Sequence, residues 1–290
     1  MKQDIEERSE EEQEEVQEPR NILITGCSSG IGLTCALGLK KRGWRVFATA
    51  RNNTDLEMLL DHGLEALLLD YTKPNTIETC VTYTLWHTEG KLHALFNNGA
   101  YAQPGAVEDL RTDVLRAQFE ANFFGWHDLT RRIIPNMRNI GEGRIVQCSS
   151  VLGLVSPPFR GAYNASKFAL EALSDAMRHE LRGSGIHVSL IEPGPIKSKF
   201  VEHACQALVD NIDIDNSVHT EIYQNQIEKF EKGGRSFLKQ KPEAVLKKLI
   251  HAVESPRPKA RYKVSVPTYM VAIGKRILPR TLSDSLIRRG

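Results

Sequence analysis

The feature of this sequence that most limits its possible folds is a glycine-rich turn that joins the first apolar segment to the first helical segment. The run ITGCSSGIG contains Gly26, Gly30 and Gly32 and follows a short apolar stretch that starts at Asn21. Glycine permits a tight turn and lets the backbone approach a pyrophosphate, while the N–H groups at the start of a helix attract an anion. Such a turn between a strand and a helix predicts a dinucleotide-binding α/β fold.

Apolar, β-rich runs alternate with helical patterns along the rest of the chain. The predicted strands are Asn21–Thr25, Arg45–Thr49, Glu65–Asp70, Leu92–Asn97, Gly143–Ser149, Ile186–Glu192 and Arg261–Val266. The helical patterns lie at 30–42, 74–89, 107–138, 162–183 and 242–253. Continuous apolar strands suit a sheet that is covered on both faces, and β-α-β crossovers make such a sheet parallel. We therefore predict an α/β fold: a single Rossmann-type, doubly wound parallel sheet of about seven strands with helices on both faces.

Two segments differ from this pattern. Residues 1–19 are predicted to form an acidic disordered tail, because they contain too little apolar surface to build a core. One domain is predicted over 20–290. Its segment at about 198–240 is rich in Asn, Asp, Gln and Lys, and we interpret it as an irregular or helical insertion that serves as a substrate lid.

Composition excludes several classes of protein. The formal net charge is +2, and the positive charge of the body is too diffuse to indicate a nucleic-acid partner. No apolar run approaches the roughly 20 residues that span a bilayer. The five cysteines never occur as C-x-x-C, and the nine histidines form no H-x-x-x-H pair. We therefore expect free thiols in a reducing cytoplasm and no metal site.

The end of the second predicted strand indicates which dinucleotide the turn would bind. An NAD site usually has an acid there, bonded to the ribose 2′-hydroxyl. In the sequence FATARNN, Ala50 stands near that place and Arg51 follows it. A guanidinium can bind a 2′-phosphate with two parallel bonds, whereas an acid would repel it, so we predict NADP(H). A surface arginine without that role is the alternative.

A set of polar residues suggests acid-base chemistry. Tyr163 and Lys167 are four residues apart in a helical stretch, so they face the same side. A nearby ammonium would lower the tyrosine pKa, which suits general acid-base catalysis. Ser150 follows the fifth predicted strand, where ligands bind in open α/β sheets. Asn122 lies among aromatic residues, where its amide needs a partner. Taken singly, an incidental Y-x-x-x-K pair and a satisfied structural asparagine are the simpler interpretations.

Together these motifs resemble the short-chain dehydrogenase/reductase family. The similarity covers about residues 20–270 and includes TGCSSGIG, the N-N pair after the fourth strand, N-x-F-G, S-S-V-L-G, Y-N-A-S-K and the P-G after the sixth strand. The nearest resemblance is to bacterial NADP-dependent aldehyde or carbonyl reductases of the retinol and hydroxysteroid dehydrogenase branch. It implies that Tyr163 donates the proton and that Lys167 tunes it and bonds the nicotinamide ribose. It also implies that Ser150 binds the substrate oxygen and that Asn122 holds a water in a proton relay.

The resemblance further implies which residues surround the cofactor. Asp70 would bond the adenine ring, and the Ser198 hydroxyl would reach the carboxamide. The full predicted set is Gly26, Ser28, Ser29, Gly30, Ile31, Gly32, Arg51, Asp70, Asn97, Gly99, Tyr163, Lys167, Pro193, Gly194, Ile196 and Ser198. In the family, contacts through the helical stretches 107–138 and 162–183 would make a homodimer or homotetramer.

One motif departs from the family pattern, because Gly99 precedes Ala100 where alanine followed by glycine is usual. Small side chains in either order would permit close approach to the cofactor. We expect Ala100 to have a negative φ and Gly99 to accommodate any unusual turn. A positive φ would strain an alanine by ~1 kcal/mol or more.

The predicted substrate pocket is apolar. Its candidate wall residues are Val151, Leu152, Leu154, Pro157, Phe159 and Tyr101. No arginine that could clamp a substrate carboxylate is evident, which favours a small lipophilic aldehyde, ketone or alcohol. The basic carboxyl-terminal segment YMVAIGKRILPRTLSDSLIRRG could lie on a membrane surface, but packing on the protein body is the preferred interpretation.

Two other functions fit parts of the sequence. A nonenzymatic NADP-binding regulator could keep the fold, although it would have no use for Ser150, Tyr163 and Lys167. A serine hydrolase is suggested by one G-x-S-x-G match from Gly26 to Gly30. The same glycines explain a phosphate-binding turn, so the hydrolase is the weaker interpretation.

Overall fold

The computed structural model describes residues 19–231, 239–279, 281–282 and 285. The predicted acidic tail therefore lies outside the described residues except for its last residue. Residues 232–238 of the predicted lid lie outside them too, as does most of the segment 280–290.

The described residues contain seven strands in one sheet. They are β1 (Asn21–Ile24), β2 (Arg45–Ala50), β3 (Glu65–Leu68), β4 (Leu92–Asn97), β5 (Gly143–Cys148), β6 (Ile186–Glu192) and β7 (Arg261–Lys263). Neighbouring strands are parallel, and their order is β3-β2-β1-β4-β5-β6-β7. The direction of this order reverses between β1 and β4, so a crevice opens there at the carboxyl ends of the strands. The predicted doubly wound parallel sheet is confirmed.

Ten α-helices belong to the same described ranges. They are α1 (Gly30–Lys40), α2 (Asn53–Asp61), α3 (Pro74–His87), α4 (Thr112–Phe119), α5 (Gly125–Ile140), α6 (Gly161–Glu180), α7 (Phe200–Asn211), α8 (Thr220–Glu231), α9 (Glu243–Glu254) and α10 (Val266–Ile277). Helices lie on both sides of the sheet, and α1 packs against α9 while α3 packs against α5. This cover explains why every residue of β1 and β5 is buried. Complete burial of one such apolar side chain contributes about 1.5–3 kcal/mol.

The long helix predicted over 107–138 is interrupted. A 3-10 turn covers Val107–Asp109, and a π turn at Glu120–Phe124 joins α4 to α5. A π turn contains about one residue more than an α-helical turn, so it shifts the phase of the helical pattern without ending it. Asn122 lies in the middle of this turn and is fully buried.

The last strand is shorter than predicted. It ends at Lys263 rather than at Val266, because α10 begins at Val266. The Ser265 hydroxyl caps this helix by accepting a hydrogen bond from the Thr268 N–H, and a proline lies in its first turn. The cap and the proline together set the boundary.

The helix α10 has a packed face and an exposed face. Thr268 is fully buried, and the Lys275 ammonium lies 4.8 Å from the ring centroid of Phe168 on α6. Val266, Met270, Ile273 and Ile277 are more than half exposed. The described part of the carboxyl-terminal segment thus packs on the body through one face, and its contact with a membrane surface stays a prediction. None of the described helices is long and apolar enough to cross a bilayer.

Candidate active site

A close approach of two backbones shapes the glycine-rich turn. Gly26 has a φ of +67°, and a Cβ atom built on it would lie 2.5 Å from the Cα of Gly99. A larger residue at position 26 would therefore force the two segments apart. Asn98 holds them together, since its Nδ2 donates to the carbonyl oxygens of Thr25 and Gly26 at 3.0 and 3.2 Å. The sequence analysis did not single out Asn98.

The start of α1 offers donors to an anion. Ser29 is the N-cap residue, and its side chain makes no capping hydrogen bond. Gly32 packs directly on the turn, because a Cβ atom built there would lie 2.1 Å from the Gly26 carbonyl oxygen. The first N–H groups of the helix therefore lack a side-chain acceptor, and this arrangement binds phosphate groups in other proteins.

A cleft of about 640 Å³ runs along the carboxyl ends of the strands. The glycine-rich turn and the segment after β4 contribute Gly26, Ser28, Ser29, Gly30, Ile31 and Gly99 to its lining. The segments after β2, β3 and β6 contribute Arg51, Asp70, Pro193, Gly194, Ile196 and Ser198. Ser150, Tyr163 and Lys167 line the same cleft. The predicted dinucleotide turn and three of the four residues predicted for acid-base chemistry thus line one cleft.

Asn97 does not line this cleft, although it was predicted to contact the cofactor. Its Oδ1 accepts a hydrogen bond from the Tyr71 hydroxyl at 2.8 Å, and its Nδ2 donates to Thr130 Oγ1 at 3.0 Å. The side chain is fully buried, and both ends of its amide are used inside the core. Asn97 therefore supports the sheet, and Gly32 contributes through its packing on the turn rather than by lining the cleft.

Arg51 and Asp70 mark the end of the cleft beside β2 and β3. The Arg51 side chain is exposed and makes no hydrogen bond or ion pair with the residues that the structure describes. The Asp70 carboxylate accepts hydrogen bonds from the N–H and the hydroxyl of Thr72 at 3.0 and 2.8 Å. Partial burial opposes the charge of Asp70, but these bonds and the charges of Lys73 and Arg51 outweigh it and lower its pKa.

The segment after β6 closes one side of the cleft. The N–H of Val151 donates to the Pro193 carbonyl oxygen at 2.8 Å, which joins the ends of β5 and β6. Ser198 lies against the glycine-rich turn, since a Cβ atom built on Gly30 would lie 2.9 Å from the Ser198 Cβ. Both α7 and α8 fall within the predicted lid at 198–240, and residues of both helices line the cleft. The described part of this segment is thus placed where a lid would act.

Tyr163 is almost completely buried at the amino-terminal end of α6. Burial raises the pKa of its phenol above the ordinary value, while a hydrogen bond with Ser150 and the charge of Arg160 offset part of that rise. The direction is opposite to the expectation that Lys167 would lower this pKa, because burial disfavours the phenolate more strongly than its neighbours favour it. A phenol that stays protonated beside a hydroxyl can donate its proton to a bound oxygen atom.

Lys167 is held in a fixed position under Tyr163. Its ammonium donates to the Cys148 carbonyl oxygen at 2.8 Å and lies 4.2 Å from the ring centroid of Trp126. Burial lowers its pKa to about 8, and the nearby Cys148 and Glu171 oppose that change. The indole N–H of Trp126 donates to the Gly99 carbonyl oxygen at 2.9 Å, so one tryptophan connects the lysine to the segment that faces the glycine-rich turn.

Asn122 is satisfied by a neighbouring backbone. Its Nδ2 donates to the Tyr101 carbonyl oxygen at 2.8 Å, and its Oδ1 accepts from the Tyr101 N–H at 3.2 Å. Asn122 does not line the cleft. The interpretation of a satisfied structural asparagine therefore describes its contacts, and the proton relay implied by the resemblance stays a prediction.

Two residues that the sequence analysis did not place in the site lie beside Tyr163. The Phe200 ring is edge-on to the Tyr163 ring, with 5.6 Å between the centroids. Arg160 lines the cleft and interacts electrostatically with the phenol. Arg160 thus adds a guanidinium to a lining for which the sequence showed no evident clamp for a substrate carboxylate. No sequence pattern marks either residue, since both depend on how distant segments pack together.

The predicted apolar wall is correct in part. Val151, Leu152 and Tyr101 line the cleft, whereas Leu154, Pro157 and Phe159 do not. Pro104, Phe200, Val201 and Ala204 add further apolar residues to the lining. Three of these four come from α7, which was not predicted as a separate helix.

The unusual order of Gly99 and Ala100 causes no backbone strain. Among the described residues other than glycine, only Glu89 and Phe159 have a positive φ, so the expectation of a negative φ at Ala100 is confirmed. Gly99 has no positive φ either. Its lack of a side chain matters instead for packing, because a Cβ atom there would lie 3.3 Å from Gly26 N and from Tyr71 Cε2.

Comparisons with known proteins agree with this geometry. The family model described as short chain dehydrogenase matches residues 20–208. The uncharacterized oxidoreductase YbbO of Escherichia coli (strain K12) is 42% identical over 269 residues, which are 93% of this chain and 94% of that protein. Human retinol dehydrogenase 8 is 30% identical over 260 residues, which are 86% of this chain and 82% of that protein. A solved structure of actinorhodin polyketide ketoreductase with NADPH is 26% identical, with a TM-score of 0.70 over 85% of this chain and 96% of that chain.

Proposed function

This chain belongs to the short chain dehydrogenase family, and we propose that it is an NADP(H)-dependent oxidoreductase that reduces a lipophilic aldehyde or ketone or oxidises the corresponding alcohol. One observation carries the proposal: Ser150, Tyr163 and Lys167 line the same cleft as the glycine-rich turn. A protein that only bound the dinucleotide would have no use for a buried phenol between a hydroxyl and an ammonium.

The residues at the turn fit a dinucleotide phosphate. The small volume at Gly26 and the uncapped start of α1 leave room and donors for the pyrophosphate. The unpaired Arg51 guanidinium supports NADP(H), because it is available to a 2′-phosphate. Asp55 also lines this end, but its carboxylate is occupied by the Asn52 amide, whose Nδ2 donates to it at 2.7 Å. The nicotinamide supplies or accepts the hydride when it is bound.

In the reaction, the protein's own residues supply the proton and set the pKa of the group that donates it. The Ser150 hydroxyl would donate to the substrate oxygen and hold it beside the Tyr163 hydroxyl, which gives its proton to that oxygen during reduction. Because burial keeps the pKa of Tyr163 high, the phenol is protonated at neutral pH. The phenolate that remains is stabilised by Ser150 and by the charges of Arg160 and Lys167.

The lining near Tyr163 supports a lipophilic substrate. Val151, Leu152, Phe200 and Val201 border this end of the cleft, and apolar surface there would be removed from water by a substrate chain. Each square ångström of apolar surface buried in this way contributes roughly 25 cal/mol.

Replacement of the phenol tests the proposal directly. Tyr163→Phe is expected to reduce NADPH oxidation with lipophilic aldehydes and ketones by roughly 10²–10⁴-fold, which is the usual contribution of a general acid. NADPH binding, followed by cofactor fluorescence, should stay within about twofold of the unchanged protein, since the phenyl ring keeps its contacts.

Tyr83→Phe is the matched control, because Tyr83 is a partly exposed tyrosine on α3. Its activity is expected to equal that of the unchanged protein. Near-normal turnover by the Tyr163 variant would contradict the acid-base assignment. Tight NADPH binding without turnover on any aldehyde, ketone or alcohol would instead favour a nonenzymatic regulator.

A further inference from the structure

We propose that the substrate carries an anionic group close to its carbonyl and that Arg160 binds this group. The inference rests on the proposed function and narrows its substrate class to lipophilic carbonyl compounds that bear a carboxylate, sulfonate or phosphate. Arg160 would then act as a specificity-determining residue at the end of the cleft opposite Arg51.

The charges along the cleft are divided between its two ends. Among the described residues that line it, only Asp55 and Asp70 carry a carboxylate. Both follow strands at the β2 and β3 edge of the sheet, together with Arg51. Arg160, His203 and Lys239 line the cleft from the other segments. Outside the β2 and β3 edge, the described lining thus has cationic or basic side chains and no acid.

The Arg160 guanidinium has no counterion within the part of the chain that the structure describes. Its side chain is exposed to the cleft and takes part in no hydrogen bond or ion pair with described residues. Arginine binds carboxylate, sulfonate and phosphate oxygens with paired, charge-assisted hydrogen bonds. A neutral substrate would cover this guanidinium with apolar surface and leave it unpaired, which is unfavourable.

A strained backbone conformation lies directly before Arg160 in the chain. The preceding residue, Phe159, has a φ of +60°, and a conformation of this kind costs a residue with a side chain ~1–2 kcal/mol. The Gly105 N–H donates to the Phe159 carbonyl oxygen at 2.9 Å. The Phe159 ring is edge-on to the rings of His219 and Tyr223, with centroid distances of 5.2 and 5.9 Å. These contacts hold the strained residue in place, so the backbone next to Arg160 is fixed by packing.

The position of Arg160 relative to Tyr163 limits where the anion lies on the substrate. Arg160 is the N-cap residue of α6, three residues before Tyr163, and both residues line the cleft. The Tyr163 hydroxyl faces the carbonyl oxygen in the proposed reaction. An anion bound by Arg160 is therefore separated from the carbonyl carbon by only a few bonds. The apolar wall formed by Val151, Leu152 and Phe200 is left for the hydrocarbon part of the same molecule.

A matched pair of substrates tests this inference. With saturating NADPH, 4-oxodecanoate is expected to have a kcat/KM at least about tenfold higher than methyl 4-oxodecanoate, since one charge-assisted pair contributes at least that factor. Arg160→Gln should reduce this preference for the acid to within about twofold, and Arg160→Lys should restore part of it. Arg257→Gln, which removes an arginine at an exposed site after α9, should leave the preference unchanged.

Two results would overturn the inference while leaving the proposed function intact. One is an unchanged protein that reduces the ester as well as it reduces the acid. The other is an Arg160→Gln variant that loses activity equally on both compounds and shows a shifted pH profile of kcat, because Arg160 would then only tune Tyr163.

A separate binding measurement applies if no carbonyl compound is reduced, which would defeat the proposed function. Decanoate and decan-1-ol are then compared by calorimetry on the protein saturated with NADP⁺. Binding of decanoate that is at least about tenfold tighter and is lost in Arg160→Gln supports an anion site. Equal binding of the two compounds overturns it.

Discussion

The two ends of the cleft are built by different physical means. Around Gly26 the protein uses backbone shape: two chain segments approach so closely that a single Cβ atom would separate them. Around Tyr163 it uses buried ionisable side chains, whose pKa values depart from the ordinary ones in both directions. The first end is therefore sensitive to volume, and the second is sensitive to protonation.

A second cluster of ionisable side chains lies near the Tyr163 end of the cleft, around Arg261. The Arg261 guanidinium contacts Glu171 at 3.1 Å and Asp175 at 2.7 Å, and its Nε lies 3.2 Å from Oε1 of Glu192. Glu192 is fully buried at the end of β6, directly before Pro193. Burial raises its pKa to about 7 with the help of Glu171, while Arg261 and Lys263 oppose the rise. The Glu192 carboxyl therefore changes its protonation near neutral pH, directly before the segment that closes the cleft.

Added side-chain volume at Gly26 should weaken cofactor binding at the glycine-rich turn. Gly26→Ala is expected to lower NADPH affinity by roughly 100-fold, because an alanine at positive φ is strained by ~1–2 kcal/mol and its Cβ must also displace the Gly99 backbone. Fluorescence titration at pH 6 and pH 8 measures this loss, and the ratio of affinities between variant and unchanged protein should be the same at both.

Gly43→Ala is the control for that experiment. Gly43 has a φ of +86°, and nothing lies within 4 Å of a Cβ atom built on it. This variant should lose about 1 kcal/mol of stability and keep its NADPH affinity. Equal affinities for the two variants would show that the approach of Gly26 to Gly99 is not what shapes the binding site.

A change of charge at the adenosine end should alter cofactor choice without altering the chemistry. Arg51→Asp is expected to reduce the preference for NADPH over NADH by roughly 30-fold, or ~2 kcal/mol, since it removes charge-assisted bonds to the 2′-phosphate and adds repulsion. The measurement is kcat/KM for both cofactors with one aldehyde. Arg257→Asp makes the same charge change at an exposed site after α9 and should leave the preference unchanged. If Arg51→Asp also leaves the preference for NADPH over NADH unchanged, the NADP(H) assignment is wrong.

Protonation should affect the catalytic end through Glu192. Its folded-state pKa of about 7 lies above the ordinary value of 4.5, so the folded protein holds a proton that the unfolded chain has released between those pH values. The free energy of unfolding therefore falls as pH rises through this range. Glu192→Gln should remove roughly 2–3 kcal/mol of that fall.

Urea unfolding at pH 5 and pH 7.5 measures this effect. The matched control is Glu78→Gln, which replaces an exposed carboxylate on α3 and should leave the pH dependence as it is. A Glu192→Gln variant with the same pH dependence as the unchanged protein would show that this carboxyl group titrates normally.

The difference between the glycine-rich end and the Tyr163 end of the cleft explains which features could be predicted from the sequence. The spacing of the glycines indicates a tight turn, so the phosphate-binding turn could be predicted. The continuous apolar strands indicate burial on both faces, so the sheet could be predicted too. Successive side chains of a strand point to opposite faces. This alternation could also have shown that only one of Asn97 and Asn98 faces the cleft. Arg160 could not be found in this way. Its place at the cleft depends on the course of the loop between β5 and α6, in which the Phe159 ring packs against His219 and Tyr223.

The π turn at Glu120–Phe124 sets the rotational phase between two helices. Before it, Gln118 accepts from the Gln103 N–H and donates to the Tyr101 carbonyl oxygen. After it, Trp126 covers the Lys167 ammonium. An α-helix turns by about 100° per residue, so deletion of one residue from this turn would rotate α5 against α4 by about that angle. The extra residue thus acts as a spacer that brings the wall of the substrate cleft and the cover of the catalytic lysine into register.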